Sequence, residues 1–263
     1  MMNNNKEIIG LFPAGGNATR IAPLPCSKEI YPVGIHHPDK EKAIRPKVVG
    51  HYLLEKMRMA GSKKAYILLR HGKWDIPAYF SKENNLDMHL AYIMVENTLG
   101  VPYTLDPAYP FIHNSLICFG FPDILFHPDN AFIQLLEKQA ETDADLILGL
   151  FTADCPHKVD MVKLDKHDKV IEILIKPLKT ELIYTWLIAV WSPKFSLFLH
   201  DFLHETKLSA GKFHPELFMG DVINAALNRE IIVEKVIFKN AGYLDIGTPE
   251  DLLKSYSWKI LNN

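Results

Sequence analysis

Arg20 and Lys28 are two cations placed just beyond a glycine pair, Gly15-Gly16, with Thr19 directly before the arginine. Upstream lies an apolar run, Ile8-Ile9-Gly10-Leu11-Phe12, that stops at Pro13-Ala14-Gly15-Gly16. A buried strand ending in a glycine turn leaves backbone N–H groups unpaired at its carboxyl end. Open α/β sheets bind ligands there, and unpaired N–H groups suit phosphate. Arg20 adds a fork of donors and Lys28 a point charge for the same anion. The chemistry implied is recognition of a polyphosphate. The stretch contains neither G-x-G-x-x-G nor G-K-[ST], so it is neither of the two common glycine-rich fingerprints.

Other residues have the right type but weaker spacing. Asp123 and Asp245 each follow an apolar run, although on sequence alone they read equally well as turn or cap residues. Lys176 precedes Pro177, which holds it extended. Gly100 follows a strand-like run ending at Val95 and reads as a turn or as a point of close backbone approach. His200 and His204 are spaced i, i+4 on a predicted helix. With no third ligand in a recognised motif they read as a solvated helix face. Cys26, Cys118 and Cys155 show no CxxC spacing and are odd in number, which argues for reduced thiols rather than a disulfide framework. Cys26 is expected to be a passive small residue, and the four tryptophans are expected to pack.

Positioning these groups requires strands alternating with helices. Ile8–Phe12, Ala65–Leu69, His89–Val95, Ser115–Phe119 and Leu146–Leu150 read as strands. Lys47–Ala60 reads as a helix stopped by Gly61, and Asn130–Glu141 as another. Met161–Leu164, Lys169–Ile175 and Tyr184–Val190 follow as strands, with a hairpin turn at Asp165-Lys166-His167-Asp168. Helices are predicted over Pro193–His204, Glu216–Asn228 and Pro249–Leu261, the last with Thr248 as N-cap. Strands are expected near Ile231–Phe238 and Leu244, and His36–Ile44 is expected to be an exposed polar loop. The pattern predicts an α/β fold, a Rossmann-like mixed and mostly parallel sheet covered by helices on both faces.

The order of the motifs resembles the sugar-phosphate nucleotidyltransferases of the glucose-1-phosphate thymidylyltransferase type. The opening segment is similar to G-G-x-G-T-R-x(n)-K-x-x-x-P. Arg45-Pro46-Lys47-Val48 with Met59-Ala60-Gly61 looks like K-P-M…L-A-G. Ile117-Cys118-Phe119-Gly120 with Asp123-Ile124-Leu125-Phe126 resembles G-D-N-I-F, and Ile175-Lys176-Pro177 stands where the family has E-K-P. Tyr243-Leu244-Asp245-Ile246-Gly247-Thr248-Pro249-Glu250-Asp251-Leu252 is similar to W-x-D-x-G-T-P-E-D-L. The resemblance implies an enzyme joining a nucleoside triphosphate to a sugar 1-phosphate with release of pyrophosphate. It further implies that Asp123 and Asp245 hold Mg²⁺. Arg20 grips the β- and γ-phosphates, and Lys28 the α-phosphate. Ala14, Gly15, Gly16 and Thr19 line the triphosphate, Gly100 approaches the base, and Lys176 contacts the sugar phosphate.

Departures cluster away from the phosphates. Ile175 replaces the sugar-contacting glutamate, Tyr103 stands where small residues are usual, and Thr185-Trp186 replaces a Thr-Gly pair. The phosphate and metal parts are retained, and the parts that choose base and sugar are rebuilt. Two alternatives therefore stay open: a non-catalytic binding protein on the same fold, and transfer to a phosphorylated alcohol such as phosphocholine, held against Trp186.

A chain of 263 residues with formal net charge -2 is long enough for one large α/β domain, and the resemblance implies a single catalytic domain over residues 1–263. A pI near 6.6 gives no general argument for nucleic acid or an anionic membrane as partner. The start, MMNNNKE, lacks the regions of a signal peptide. A cytoplasmic location is expected, and a homo-oligomer is compatible with the family.

Overall fold

The computed structural model describes residues 6–36, 45–81, 86–96, 99–210 and 216–258. In chain order its strands are β1 (Ile8–Ala14), β2 (Pro32–His36), β3 (Arg45–Val48), β4 (Lys64–Arg70), β5 (His89–Val95), β6 (Leu116–Gly120), β7 (Ile124–His127), β8 (Leu146–Thr152), β9 (Met161–Leu164), β10 (Val170–Leu174), β11 (Tyr184–Trp191), β12 (Val233–Ile237) and β13 (Gly242–Asp245). Its helices are α1 (Val49–Met59), α2 (Asp75–Phe80), α3 (Val101–Leu105), α4 (Tyr109–Ile112), α5 (Ala131–Thr142), α6 (Pro193–Ala210), α7 (Met219–Leu227) and α8 (Pro249–Ser255).

The main sheet runs β10-β9-β11-β6-β1-β4-β5, with β8 on the other edge of β11 and β12 outside β8. Only β10 and β11 run against the remaining strands, so the sheet is mixed and mostly parallel. Both faces are covered, which explains why β1 and β8 read as continuous apolar runs rather than alternating ones. On one face Ile9, Leu11 and Phe119 pack with Phe195, Leu203, Val222 and Ile223 of α6 and α7. On the other, Phe12 and Ala14 pack with Leu53 and Met57 of α1 and with Phe132 and Leu135 of α5. Each of these side chains larger than alanine contributes about 1.5–3 kcal/mol on leaving water, before chain entropy is counted.

The edge of β11 determines where a cleft can open. β8 pairs along one edge of this strand. The opposite edge is shared, with Tyr184 and Thr185 pairing to β9 and Ile188 to Trp191 pairing to β6. Trp186 and Leu187 lie between the two partners, where the register against β8 also shifts. Such an extra residue bends a strand and ends local pairing, a device common beside active sites. The sheet thus forks at Trp186-Leu187, with the carboxyl end of β6 on one side and the start of β9 on the other.

A third, smaller core of Ile21, Val33, Val49, Leu125 and Ile246 lies under the loops at this end. It joins the segment after β1 to the β2–β3 hairpin and to the β7–β13 pair, which form separate two-stranded sheets.

Several boundaries differ from the sequence expectation. Arg45–Val48 does not open a helix; it is a strand paired with β2, and α1 begins only at Val49. Pro46 has no N–H to give, and the residue before a proline avoids the helical region, so the hairpin prevails. Glu216 to Phe218 are also non-helical. The Leu217 N–H is held by the Leu99 carbonyl, and Asp221 accepts the Phe218 N–H at 2.8 Å to start α7. Helix α6 runs on to Ala210, past the expected end, and α8 ends at Ser255. The Asp165–Asp168 turn is present, with Asp165 Oδ1 accepting from the N–H groups of His167 and Lys169 at 2.8 Å each. Thr248 caps α8 by accepting the Asp251 N–H at 3.3 Å. Residues 37–44 of the polar loop lie outside the described residues. No described helix is long and apolar enough to cross a membrane.

Candidate functional site

β1 delivers the glycine turn to the carboxyl edge of the sheet. Ala14 is buried at the end of β1, Gly15 is half-buried and Gly16 is exposed. A Cβ on Gly15 would lie 3.0 Å from the Thr104 side chain, so α3 packs directly on the turn. Ala18 has φ +52, in the left-handed region that favours glycine. Its carbonyl accepts from the N–H groups of Ile21 and Ala22 at 3.1 and 3.0 Å, which turns the chain so that Thr19 and Arg20 stand exposed.

Lys28 opens a short helical turn fastened from behind. The Ser27 N–H and hydroxyl donate to the two Asp75 carboxylate oxygens at 2.6 and 2.7 Å. Behind it, Glu29 forms a buried ion pair with Lys73 at 2.6 Å and leaves its other oxygen, Oε2, without a partner. Burial raises the Glu29 pKa, although Lys73 opposes this. Burial also raises the Cys26 thiol, in keeping with a passive residue.

The Lys28 ammonium is ion-paired with Asp123, which follows β6. Burial acts against the charged form of each. Their mutual attraction outweighs it, so Lys28 is held above the ordinary lysine value and Asp123 below the ordinary carboxyl value. Asp245 is brought alongside by the β7–β13 pair, in which it lies opposite Ile124. The next residue, Ile246, donates its N–H to the Asp123 carbonyl at 2.9 Å. Arg20 completes the group. A Cβ on Gly247 would lie 3.0 Å from Arg20 Nη2 and 3.4 Å from Asp245 Oδ1, so the guanidinium rests on Gly247 beside this carboxylate. Lys28, Asp123, Asp245 and Arg20 therefore converge, from segments far apart in the chain. A cavity of about 140 Å³ opens there, lined by Gly15, Gly16, Lys28, Thr104, Phe121 and Asp123 among others. A larger hollow of about 570 Å³ lies at the opposite, amino end of β1 and β6, near Ile8 and Leu116, away from these charges.

Lys176 belongs to a second group, across the fork. Its backbone is left-handed, at φ +40, rather than extended as its place before Pro177 predicts, and its Nζ stands 4.5 Å from the centre of the Phe218 ring. Its backbone N–H donates to the carboxylate of Asp160, the residue before β9. Burial pushes Asp160 up to about 6, and its Oδ1 is buried without a hydrogen-bond partner. Thr185 secures this corner by donating its hydroxyl to the Asp160 carbonyl at 2.8 Å. Sequence reasoning missed Asp160, Glu29 and Thr104; only the isolation of Asp160 before an apolar strand hinted at a role.

Gly100 shows a close approach, but to the chain itself. It has φ +116, and a Cβ there would meet the Leu217 carbonyl oxygen at 1.9 Å. Trp186 is 3% exposed and packs with Phe119 and Phe121 at centroid distances of 6.3 and 5.7 Å. That burial removes the open aromatic face that phosphocholine would need. Tyr103 is likewise in the core and does not line the cavity beside the glycine turn.

A parallel sheet with a glycine turn, paired cations and paired carboxylates at one carboxyl edge is the build of a phosphate-handling transferase. The nucleotidyl transferase family model matches residues 9–258, and the chain belongs to that family of enzymes. Among solved structures, one assigned as a glucose-1-phosphate thymidylyltransferase from Bacillus anthracis, in complex with a sucrose, superposes with TM-score 0.81 at 19% identity, over 95% of this chain and 94% of that one. A UDP-glucose pyrophosphorylase complexed with UDP-glucose gives TM-score 0.77 at 18% identity, over 98% of this chain and 100% of that one. No curated protein matches the sequence.

Proposed function

We propose that this chain is one catalytic domain that transfers a nucleotidyl group from a nucleoside triphosphate to a sugar 1-phosphate, releasing pyrophosphate. The observation that carries this reading is the convergence of Lys28, Arg20, Asp123 and Asp245 beside the Gly15-Gly16 turn. An acceptor phosphate oxygen bonds to the α-phosphorus as the bond to the β-phosphate bridging oxygen breaks. Two anions meet, so the site must supply positive charge where negative charge builds up. Arg20, exposed at the rim, takes the β- and γ-phosphates, and Lys28 takes the α-phosphate. The glycine-turn N–H groups at Gly15 and Gly16 orient the triphosphate, with Ala14 and Thr19 flanking them.

Asp123 and Asp245 fit a divalent cation, since two neighbouring carboxylates without sulfur or imidazole suit a hard ion such as Mg²⁺. When bound, that ion supplies charge neutralisation at the phosphate oxygens. Lys28 meanwhile holds Asp123 ionised in readiness. On the acceptor side, Lys176 receives the sugar phosphate. Asp160, with its unpartnered Oδ1, takes the sugar hydroxyls in place of the carboxylate that Ile175 lacks.

The test is pyrophosphate release with Mg²⁺, crossing the five common nucleoside triphosphates against a panel of sugar 1-phosphates and phosphocholine. Release that needs one triphosphate and one sugar phosphate together, and that is lost with EDTA and in Asp123→Asn, is expected. Release with phosphocholine alone, or full activity in Asp123→Asn, would overturn the reading.

A further inference from the structure

Away from this site, α6 carries His200 and His204 one turn apart, with ring centroids 4.4 Å apart. Sequence reading found no third partner for them, but the fold supplies one. Asp106, directly after α3, reaches His200, with its Oδ1 2.7 Å from His200 Nδ1. The donor atoms of Asp106, His200 and His204 all lie within 4.8 Å of one another. Tyr109 stacks on the His200 ring at 4.1 Å and 8°, which together with Asp106 fixes the ring in one orientation. His204 is exposed and, among the described residues, has no hydrogen-bond partner.

We infer that Asp106, His200 and His204 form a binding site for a transition-metal dication of the Zn²⁺ type. Two imidazole nitrogens and one carboxylate oxygen are the donor set of such ions, and a hard ion such as Mg²⁺ would not select it. The paired carboxylates Asp123 and Asp245 have the opposite character, so the two sites differ in the metal they prefer. Ligand distances of about 2.0–2.2 Å require the three donors to surround one point. Binding would therefore replace the direct Asp106–His200 hydrogen bond by bonds from both groups to the ion. Lys207, whose Nζ is 3.7 Å from Asp106 Oδ2, is the cation that balances this carboxylate in the metal-free chain. Three protein ligands leave at least one position open to water or to a further ligand. The bound ion would tie the end of α3, whose Thr104 abuts the glycine turn, to α6.

The deciding experiment is calorimetric titration of the metal-free full chain with Zn²⁺, comparing wild type with His204→Ala and Asp106→Asn. Wild type is expected to bind one equivalent. Loss of a mere partner of a ligand already costs about tenfold to a hundredfold, so each substitution of a ligand is expected to weaken binding by at least that much. His204 is exposed, so His204→Ala should unfold at the wild-type temperature without metal and lose only the Zn²⁺-induced rise. Superimposable isotherms for wild type and His204→Ala, or no binding in wild type, would overturn the site. Because turnover is not the readout, failure here is separate from failure of the proposed transferase reaction.

Discussion

Asp245 carries a carboxyl pushed up to about 6, first by burial and next by the charge of Asp123 beside it. Asp123 is shifted the opposite way because it holds Lys28. The two carboxylates share two cations, Lys28 and Arg20, but at Asp245 burial and the charge of Asp123 prevail over their pull.

That balance makes Asp245 a cost to the ligand-free fold. Its folded value lies above the ordinary 3.8, so the folded chain holds this proton more tightly than the unfolded chain. Stability therefore falls as pH rises from about 4 to about 6, and the penalty is complete above that window. Asp245→Asn should abolish turnover and raise the ligand-free melting temperature by about 2–4 °C at pH 7.5. At pH 4 it should raise it hardly at all. Equal melting temperatures for both chains at pH 7.5 would count against this account.

Gly247 sets the position of Arg20. Gly247→Ala places a Cβ 3.0 Å from the tip of a flexible, exposed side chain, which can move aside at little cost to stability. Arg20 would then be displaced from the triphosphate. The expected result is an unchanged melting temperature with turnover reduced about tenfold to a hundredfold. Steady-state kinetics beside a thermal melt separates this outcome from simple destabilisation.

The left-handed Ala18 costs about 1–2 kcal/mol relative to a residue without a Cβ. Ala18→Gly should recover much of that, offset in part by the greater freedom glycine gives the unfolded chain. A rise of about 2–4 °C in melting temperature is expected. A fall would show that the Ala18 methyl contributes more by packing beside Ile21 and Val33 than its backbone costs.

Asp160 should act on the acceptor alone. Asp160→Asn keeps the volume but removes the charge, and it is expected to raise KM for the sugar phosphate about tenfold, the loss of one charged hydrogen bond. KM for the nucleotide should stay within about twofold. An equal rise in both KM values would place Asp160 in general support of the fold instead.

Much of this architecture could be read from the chain because its strands are long, apolar and regularly interrupted. His89–Val95 was expected and observed with the same limits, and β1 simply continues to Ala14. The short helices α2, α3 and α4 escaped because segments of four to six residues complete too few turns to show a period. Lys47 and Val48 were read as helix because the strand partner of Arg45–Val48, β2, sits across a loop, and pairing leaves little trace in local sequence. Arg20, Lys28, Asp123 and Asp245 were singled out by motif, and the fold brings them together, whereas Glu29–Lys73 and Asp106–His200 depend on contacts between distant segments. Trp186 was expected to pack and does, whereas Trp74 was expected to pack and stands exposed; what the sequence did not show is that Trp186 sits at the fork, which follows from topology.

The fork at Trp186-Leu187 also separates two ways of anchoring. β9 is joined to β11 only through Tyr184–Val162 and Thr185–Met161, whereas β6 is joined through four residue pairs. The hairpin bearing Asp160 and Lys176 at its open end is held instead from its faces, by Val162, Val170 and Ile173 in the core and by the Asn224 side chain, which accepts the Ile173 N–H at 2.7 Å and donates to the Ile173 carbonyl at 2.8 Å. On the proposed reading, the acceptor residues and the phosphate residues thus sit on separately anchored parts of the sheet, one fastened by α7 and the other by strand pairing.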